Sequence, residues 1–297
     1  MSDLLEHLRK EYHSVPIPEE LDLIVNRSIK QALHTRRAKR LKVKGMTIAA
    51  AILVFLIAIN ASTTVANALA SIPGVERIVK VLTLQEFKLK ESNYEADIKV
   101  PAITNMENKE LQLGLNQKYL AESKALYDQF QDEIADLKKQ GLNGAHVGID
   151  AGYEVKTDND TILSIGRYFL QTAASSSTVM QFDTIDKKNQ RLITLPMLFK
   201  DDQYLRLVSD NIIAQMKEQM KGEDGKIYWI AGAVDYLPIE ETFSSIKKDQ
   251  SFYINKDGKL VIVFNKYEVA PGSMGLPEFV IPTDVIQGDL VSNYYIK

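Results

Sequence analysis

The sequence predicts an α+β protein carried on one membrane span. Three observations support that expectation. No residue from Gly45 to Val75 is charged. Beyond that segment, two long stretches repeat their apolar residues at three- and four-residue steps, the period of a helix with one buried face. Around them lie short runs rich in β-branched and aromatic residues, grouped as hairpins. Strands grouped in this way point to an antiparallel sheet with two long helices, not to regular βαβ winding.

The uncharged segment sets the layout. Its core, MTIAAAILVFLIAINASTTV, has the length a helix needs to cross the hydrocarbon of a bilayer. Nine of those positions are Ile, Leu, Val or Phe. On an insertion scale they favour the membrane by roughly 3–5 kcal/mol, which one central charge would cancel. Arg36, Arg37, Lys39, Arg40, Lys42 and Lys44 crowd its N-terminal side, against Glu76, Arg77 and Lys80 on the other. The positive-inside rule then puts residues 1–44 in the cytoplasm, a transmembrane helix at 45–70, and residues 71–297 outside the cell. Ala66-Asn67-Ala68 and Ala68-Leu69-Ala70 read as small-x-small, the pattern that signal peptidase cuts. The alternative is that Ala66, Ala68 and Ala70 serve helix packing.

The head contains a helix start at Pro18-Glu19-Glu20, with proline early and acids in the first turn. Leu21, Ile24, Val25, Ile29, Ala32 and Leu33 then share one face. Forty-four residues are too few to bury a core. The stripe therefore reads either as a docking surface for another protein or as a helix lying on the membrane.

The outer region opens with the turn signal Ile72-Pro73-Gly74. Ile78, Val79, Val81 and Leu82 suit a short strand or helix. Alternation from Tyr94 to Ile103 predicts a strand with one buried face. Leu111, Leu115, Tyr119, Leu126, Phe130, Ile134 and Leu137 predict a long helix over 105–141, closed by Gly141. Strands are expected at 147–155, 161–172, 178–185 and 190–195, with Ala173 to Ser177 as a loop or hairpin end. Asp201 suits the cap of a second helix running through Gln219. A hairpin about Asn255-Lys256-Asp257-Gly258 joins 252–254 to 259–264. Strand-like flanks surround Pro271 to Gly275, Asp284 opens a short turn, and 290–296 reads as a final strand. A boundary near residue 195 would divide the region into parts 71–195 and 196–297, unless it is one domain.

Charge follows the same division. Residues 1–44 carry a net +4 and the remainder a net −7. An acidic outer region attracts basic partners and repels nucleic acid. There are no cysteines, so neither a disulfide framework nor a Cys-ligated zinc is possible. An exported domain without disulfides leans towards a Gram-positive surface.

No constellation argues for catalysis. Of His7, His13, His34 and His146 only the last lies outside, and a lone histidine builds no His-rich metal site. There is no H-E-x-x-H, no G-x-S-x-G and no phosphate-cradling loop. Asp201-Asp202 and Glu240-Glu241 read as helix-start acids. The expectation is a binding protein, not an enzyme, without cofactor or metal. The most distinctive stretch is Tyr267 to Phe279, with two prolines, two glycines and a surface methionine, Met274. It reads either as a binding loop of low ordering cost or as a structurally demanding turn.

The closing FNKYEVAPGSMGLPEFVIPTDVI, with SNYEADIKVPAI and LNQKYLAESKALYDQF, resembles the RsiV-type anti-sigma factors of Gram-positive bacteria over residues 90–297 and in the order head, span, outer region. The resemblance implies a membrane protein whose head, through Leu21, Ile24, Val25 and Ile29, holds an extracytoplasmic-function sigma factor inactive. It implies an outer region that binds lysozyme through Tyr267, Pro271, Gly272, Ser273, Met274 and Gly275 together with the small-polar Ser175, Ser176 and Ser177. It also implies release by signal peptidase near Ala66, Ala68 and Ala70, followed by an intramembrane protease. Such outer modules also accompany some polysaccharide deacetylases, whose catalytic domain is absent here. The remaining alternative is therefore a membrane-anchored cell-wall-binding module or accessory domain of a peptidoglycan-modifying enzyme.

Overall fold

The computed structural model describes residues 79–297 except 143, 174, 223–224, 233–237 and 239–240. The head, the expected span and the Ala66–Ala70 segment lie outside the described residues. Among the described residues no helix is long and apolar enough to cross a membrane.

Six strands form the first sheet in sequence order: β1 (Lys80–Glu91), β2 (Tyr94–Thr104), β3 (Val147–Asp158), β4 (Ile162–Ala173), β5 (Ser175–Asp186) and β6 (Arg191–Ile193). All neighbours are antiparallel except β2 and β3, which run parallel with Tyr94 opposite Val147 and Ile98 opposite Ala151. This corrects the expected antiparallel sheet: it is mixed. The cause is the helix α1 (Lys109–Lys139), which occupies the connection between β2 and β3. A parallel pair needs a long crossover, and α1 supplies one.

The sequence pattern explains α1. The Asn108 side chain accepts from Leu111 N at 3.0 Å and caps it. Leu115, Tyr119, Phe130 and Ile134 are buried in a row. Asn116 pins the helix to the end of β2: its Oδ1 accepts from Ile103 N at 2.7 Å and its Nδ2 donates to Ile103 O at 2.9 Å.

A second sheet contains β7 (Phe252–Ile254), β8 (Leu260–Val263) and β9 (Glu278–Ile281) in that order, all antiparallel. The helix α2 (Gln203–Lys221) buries Val208, Ile212 and Met216 in a core with Phe264 and Phe279. The N-cap is Asp202, not the expected Asp201; Asp201 Oδ1 instead accepts from Gln203 N at 2.7 Å from one position before the cap. The short α3 (Thr283–Ile286) follows β9. Residues 290–296 do not form the expected strand; a single bridge joins Leu290 to Phe199, and Ile296 is buried by turns.

Alternation along β4 decides where each core sits. Ile162 belongs to the core of α2 and the second sheet, whereas Leu163 and Ile165 belong to the core under α1. Arg167 continues the α1 side and is 2% exposed. Its guanidinium donates to Glu122, to Gln181 Oε1 at 2.9 Å and to Asp183 Oδ2 at 3.3 Å, and lies 4.5 Å from the Tyr119 ring centre. Lys118 Nζ completes the group, 3.0 Å from Asp183 Oδ1. Burial pushes the Tyr119 hydroxyl pKa up, and the charge of Asp183 pushes it further.

A second buried carboxylate closes the turn after β5. Asp186 accepts from Lys188 N and Asn189 N, each at 2.9 Å, and from the Tyr295 hydroxyl. Burial pushes its carboxyl up, but the Asn189 amide, the Tyr295 hydroxyl, the Asn189 side chain and the Lys188 amide outweigh burial and hold it below the usual carboxylate range. A depressed folded pKa adds stability that is present above the unfolded value of about 4 and is lost as pH falls through the folded value. Urea unfolding at pH 7 and below pH 4 will therefore show a loss of stability that is smaller in Asp186→Asn. An equal loss in both proteins would remove Asp186 from the acid transition.

Candidate functional site

The outer edge of β5 explains where the distinctive loop goes. β6 pairs only with Thr184 to Asp186, so the strand from Ser175 to Asp183 needs other partners on that side. The chain after β8 provides two of them and Ser251, just before β7, a third. Lys266 N donates to Thr178 O at 3.2 Å, and Asn265 Oδ1 accepts from Met180 N at 2.8 Å. Ser251 Oγ donates to Met180 O at 3.2 Å. Glu268 Oε2 accepts from Asn265 N at 2.7 Å and closes the turn.

Tyr267 follows with φ of 66°, a left-handed conformation that a residue with a side chain adopts at a cost. That turn throws the ring outward, and the residue is 47% exposed. The ring lies on the backbone of Gly272: a Cβ there would sit 2.3 Å from Tyr267 Cζ. Val269 and Ala270 are buried and anchor the loop, with Trp229 N donating to Val269 O at 2.8 Å. Pro271 precedes a short 3-10 turn, Gly272–Met274, whose exit at Gly275 has φ of 68°. Of the two strand flanks expected for this loop, Glu278–Ile281 is β9, whereas the Tyr267 side consists of turns.

The two segments that the sequence singled out separately come together here. The hydroxyls of Ser175 and Tyr267 are 3.2 Å apart. Lys266 Nζ donates to Ser176 Oγ at 2.6 Å and lies 5.3 Å from the Tyr267 ring centre. Ser175, Ser177, Ser273 and Gly275 are exposed, and Ser176, Pro271 and Gly272 are half-buried. Met274 differs from its expected surface position: it is half-buried and packs against the core of the second sheet. Ser175 to Ser177 are the first residues of β5, so the small-polar run is the hairpin end foreseen for it.

Sequence reasoning missed Asn265 and Lys266. The signal was present: an Asn-Lys pair with a glutamate three residues after the asparagine, immediately before the loop. Leu21, Ile24, Val25, Ile29, Ala66, Ala68 and Ala70 lie outside the described residues. His146 is exposed just before β3. Among the described residues no three His, Cys, Asp or Glu are grouped to hold a metal ion. The assembled surface offers an aromatic ring, hydroxyls, an ammonium and turn backbone, the groups with which a protein recognises another protein.

Comparison with known proteins adds to this geometry. Residues 197–284 match the family described as protein of unknown function DUF3298, and residues 87–171 match the family described as deacetylase PdaC. The chain is 43% identical over 297 residues, the full length of both proteins, to the anti-sigma-V factor RsiV of Bacillus subtilis strain 168. Among solved structures it resembles a DUF3298-family protein of Bacteroides fragilis, with a TM-score of 0.50 and 17% identity, over 72% of this chain and 94% of that one. A DUF3298-family protein of Pseudomonas aeruginosa aligns with a TM-score of 0.47 and 13% identity, over 75% of this chain and all of that one. The first of these likenesses extends to the fold.

Proposed function

The chain belongs to the RsiV family of anti-sigma factors, and from that premise we propose that it is a membrane-anchored sensor that releases a sigma factor when lysozyme binds outside the cell. Residues 1–44 hold an extracytoplasmic-function sigma factor through Leu21, Ile24, Val25 and Ile29. Residues 45–70 span the cell membrane once, with the N-terminus cytoplasmic. The outer parts, 71–195 and 196–297, bind lysozyme without cutting anything. Signal peptidase then cuts at Ala66–Ala70 and an intramembrane protease frees the sigma factor.

The observation that carries the sensing half is the juxtaposition of Ser175 and Tyr267. Two segments 92 residues apart form one surface built on anchored turns, which lowers the ordering cost of binding. The net −7 beyond residue 44 favours a basic ligand. The test is to mix fragment 71–297 with lysozyme and measure association. Raising salt from about 0.05 to 0.5 M is expected to slow association about tenfold, because steering between opposite charges is screened. No association at moderate salt would remove lysozyme from the account. For the cytoplasmic half, fragment 1–44 is expected to co-purify with a sigma factor, and recovery of none would argue against sequestration.

The match of residues 87–171 to deacetylase PdaC favours a second reading, a wall-binding accessory module. It predicts retention on peptidoglycan in the absence of lysozyme, which the first reading does not.

A further inference from the structure

β1 is an outer strand of the first sheet, and among the described residues no strand pairs with its other side. An edge of 12 residues leaves backbone N–H and C=O groups open as a template for another strand. The Tyr127 hydroxyl reaches this edge, 3.5 Å from the Lys88 carbonyl oxygen, at the limit of a hydrogen bond. Two features discourage indiscriminate pairing: the irregularity between Thr83 and Gln85, and the lysines Lys88 and Lys90. A regular run from Gln85 to Glu91 remains, in unbroken register with β2.

The charges of that run match the run itself. Glu86, Lys88 and Lys90 share one face of the sheet, and Phe87 and Leu89 the other. Glu86 and Lys88 touch at 2.6 Å, while Phe87 stacks on Tyr127 of α1 with ring centres 5.4 Å apart. Two antiparallel copies of β1 in one sheet are related by a two-fold axis perpendicular to it. Opposed residues must share a face, so the axis passes through a residue. At Phe87 it sets Glu86 against Lys88 of the second copy, twice, with Phe87 against itself and Gln85 against Leu89. One step towards the N-terminus, Glu86 meets Glu86. One step the other way, Lys88 meets Lys88, and at Leu89 each Lys88 meets a Lys90. Of these four registers only the one at Phe87 places no like charges opposite each other, and like charges in that position oppose pairing.

We propose that β1 is a self-association edge: two copies of this chain pair β1 to β1, antiparallel about Phe87, and join their six-stranded sheets into one. The Lys88 carbonyl points out of the free edge, where the Tyr127 hydroxyl meets it, and its second lone pair is open to a partner strand. Glu86 and Lys88 therefore make the backbone bonds between copies, and the two Phe87 residues face each other as the closer kind of pair, with Cα atoms about 4.5 Å apart.

The chain has no cysteine, so a thiol placed in it has only its own copy to react with. The full chain in detergent micelles at micromolar concentration is expected to scatter light as a dimer. Under mild oxidation Phe87→Cys will form a disulfide-linked dimer, since about 4.5 Å lies within disulfide reach. Gln85→Cys and Leu89→Cys will not, because each lies about 13 Å from its own copy in this register. Glu86→Lys and Lys88→Glu will each raise the dimer dissociation constant about tenfold or more, and the double variant Glu86→Lys, Lys88→Glu will restore it. The charge variants leave Phe87 and its packing untouched. A monomeric wild-type chain, equal cross-linking of all three cysteine variants, or a dimer indifferent to Glu86→Lys would each overturn the proposal.

Discussion

Arg167→Ala is expected to lower the folding free energy by about 3–5 kcal/mol, a large part of the roughly 5–15 kcal/mol that a domain usually has. The side chain is 2% exposed and bonds residues on both α1 and β5. Its loss strands the Asp183 carboxylate, itself 4% exposed, with Lys118 as its remaining ion-pair partner. The guanidinium is also the surface on which the Tyr119 ring rests. A buried charge left without its partner costs far more than the pair contributed. Urea unfolding will show a lower midpoint at similar slope. Asp183→Asn will be less harmful in the Arg167→Ala background than in the wild type, since it removes the stranded charge. Additive losses would mean that the two residues do not act as a pair.

Under the proposed lysozyme sensing, Gly272→Ala is expected to weaken binding by about thirtyfold while leaving the unfolding midpoint within a few degrees, as befits the removal of one central aromatic anchor. The added methyl meets the far end of the Tyr267 ring, which swings aside at little energetic cost to the fold. Its new place breaks the hydrogen bond with Ser175. The sign of coupling decides the matter: Tyr267→Ala and the double variant will bind equally poorly, because alanine at 272 has nothing left to displace. A further loss in the double variant would show that Gly272 acts by another route.

Local patterns made much of this architecture readable. The capped, periodic stretch after Asn108 and the alternation after Tyr94 specify α1 and β2 with neighbours close in sequence. β1 was less legible. Lys88, Lys90 and Glu91 interrupt its apolar pattern because an outer strand has no need to bury them. The parallel pairing of β2 with β3 was hidden for another reason: register between distant strands is set by the packing of α1, which no local pattern records. Residues 290–296 look like a strand because Leu290, Tyr295 and Ile296 are apolar or aromatic. They are so because each docks separately, Tyr295 on Asp186 and Ile296 in the core. The candidate binding surface was legible as two separate groups of residues but not as one place. The backbone demands of β5 bring them together, and Asn265 and Lys266 answer those demands.

Those demands give the loop a second employment. The segment that presents Tyr267 is also what keeps Thr178 and Met180 from offering their main-chain groups to a stranger. Were it lifted away, the sequence SSSTVMQF, free of proline and of charge, would stand open as a seed for fibrous stacking. The proposed recognition and colloidal good behaviour are therefore tied to the same few residues. Changes that loosen Asn265 will surface first as turbidity on concentration, before any ligand is added.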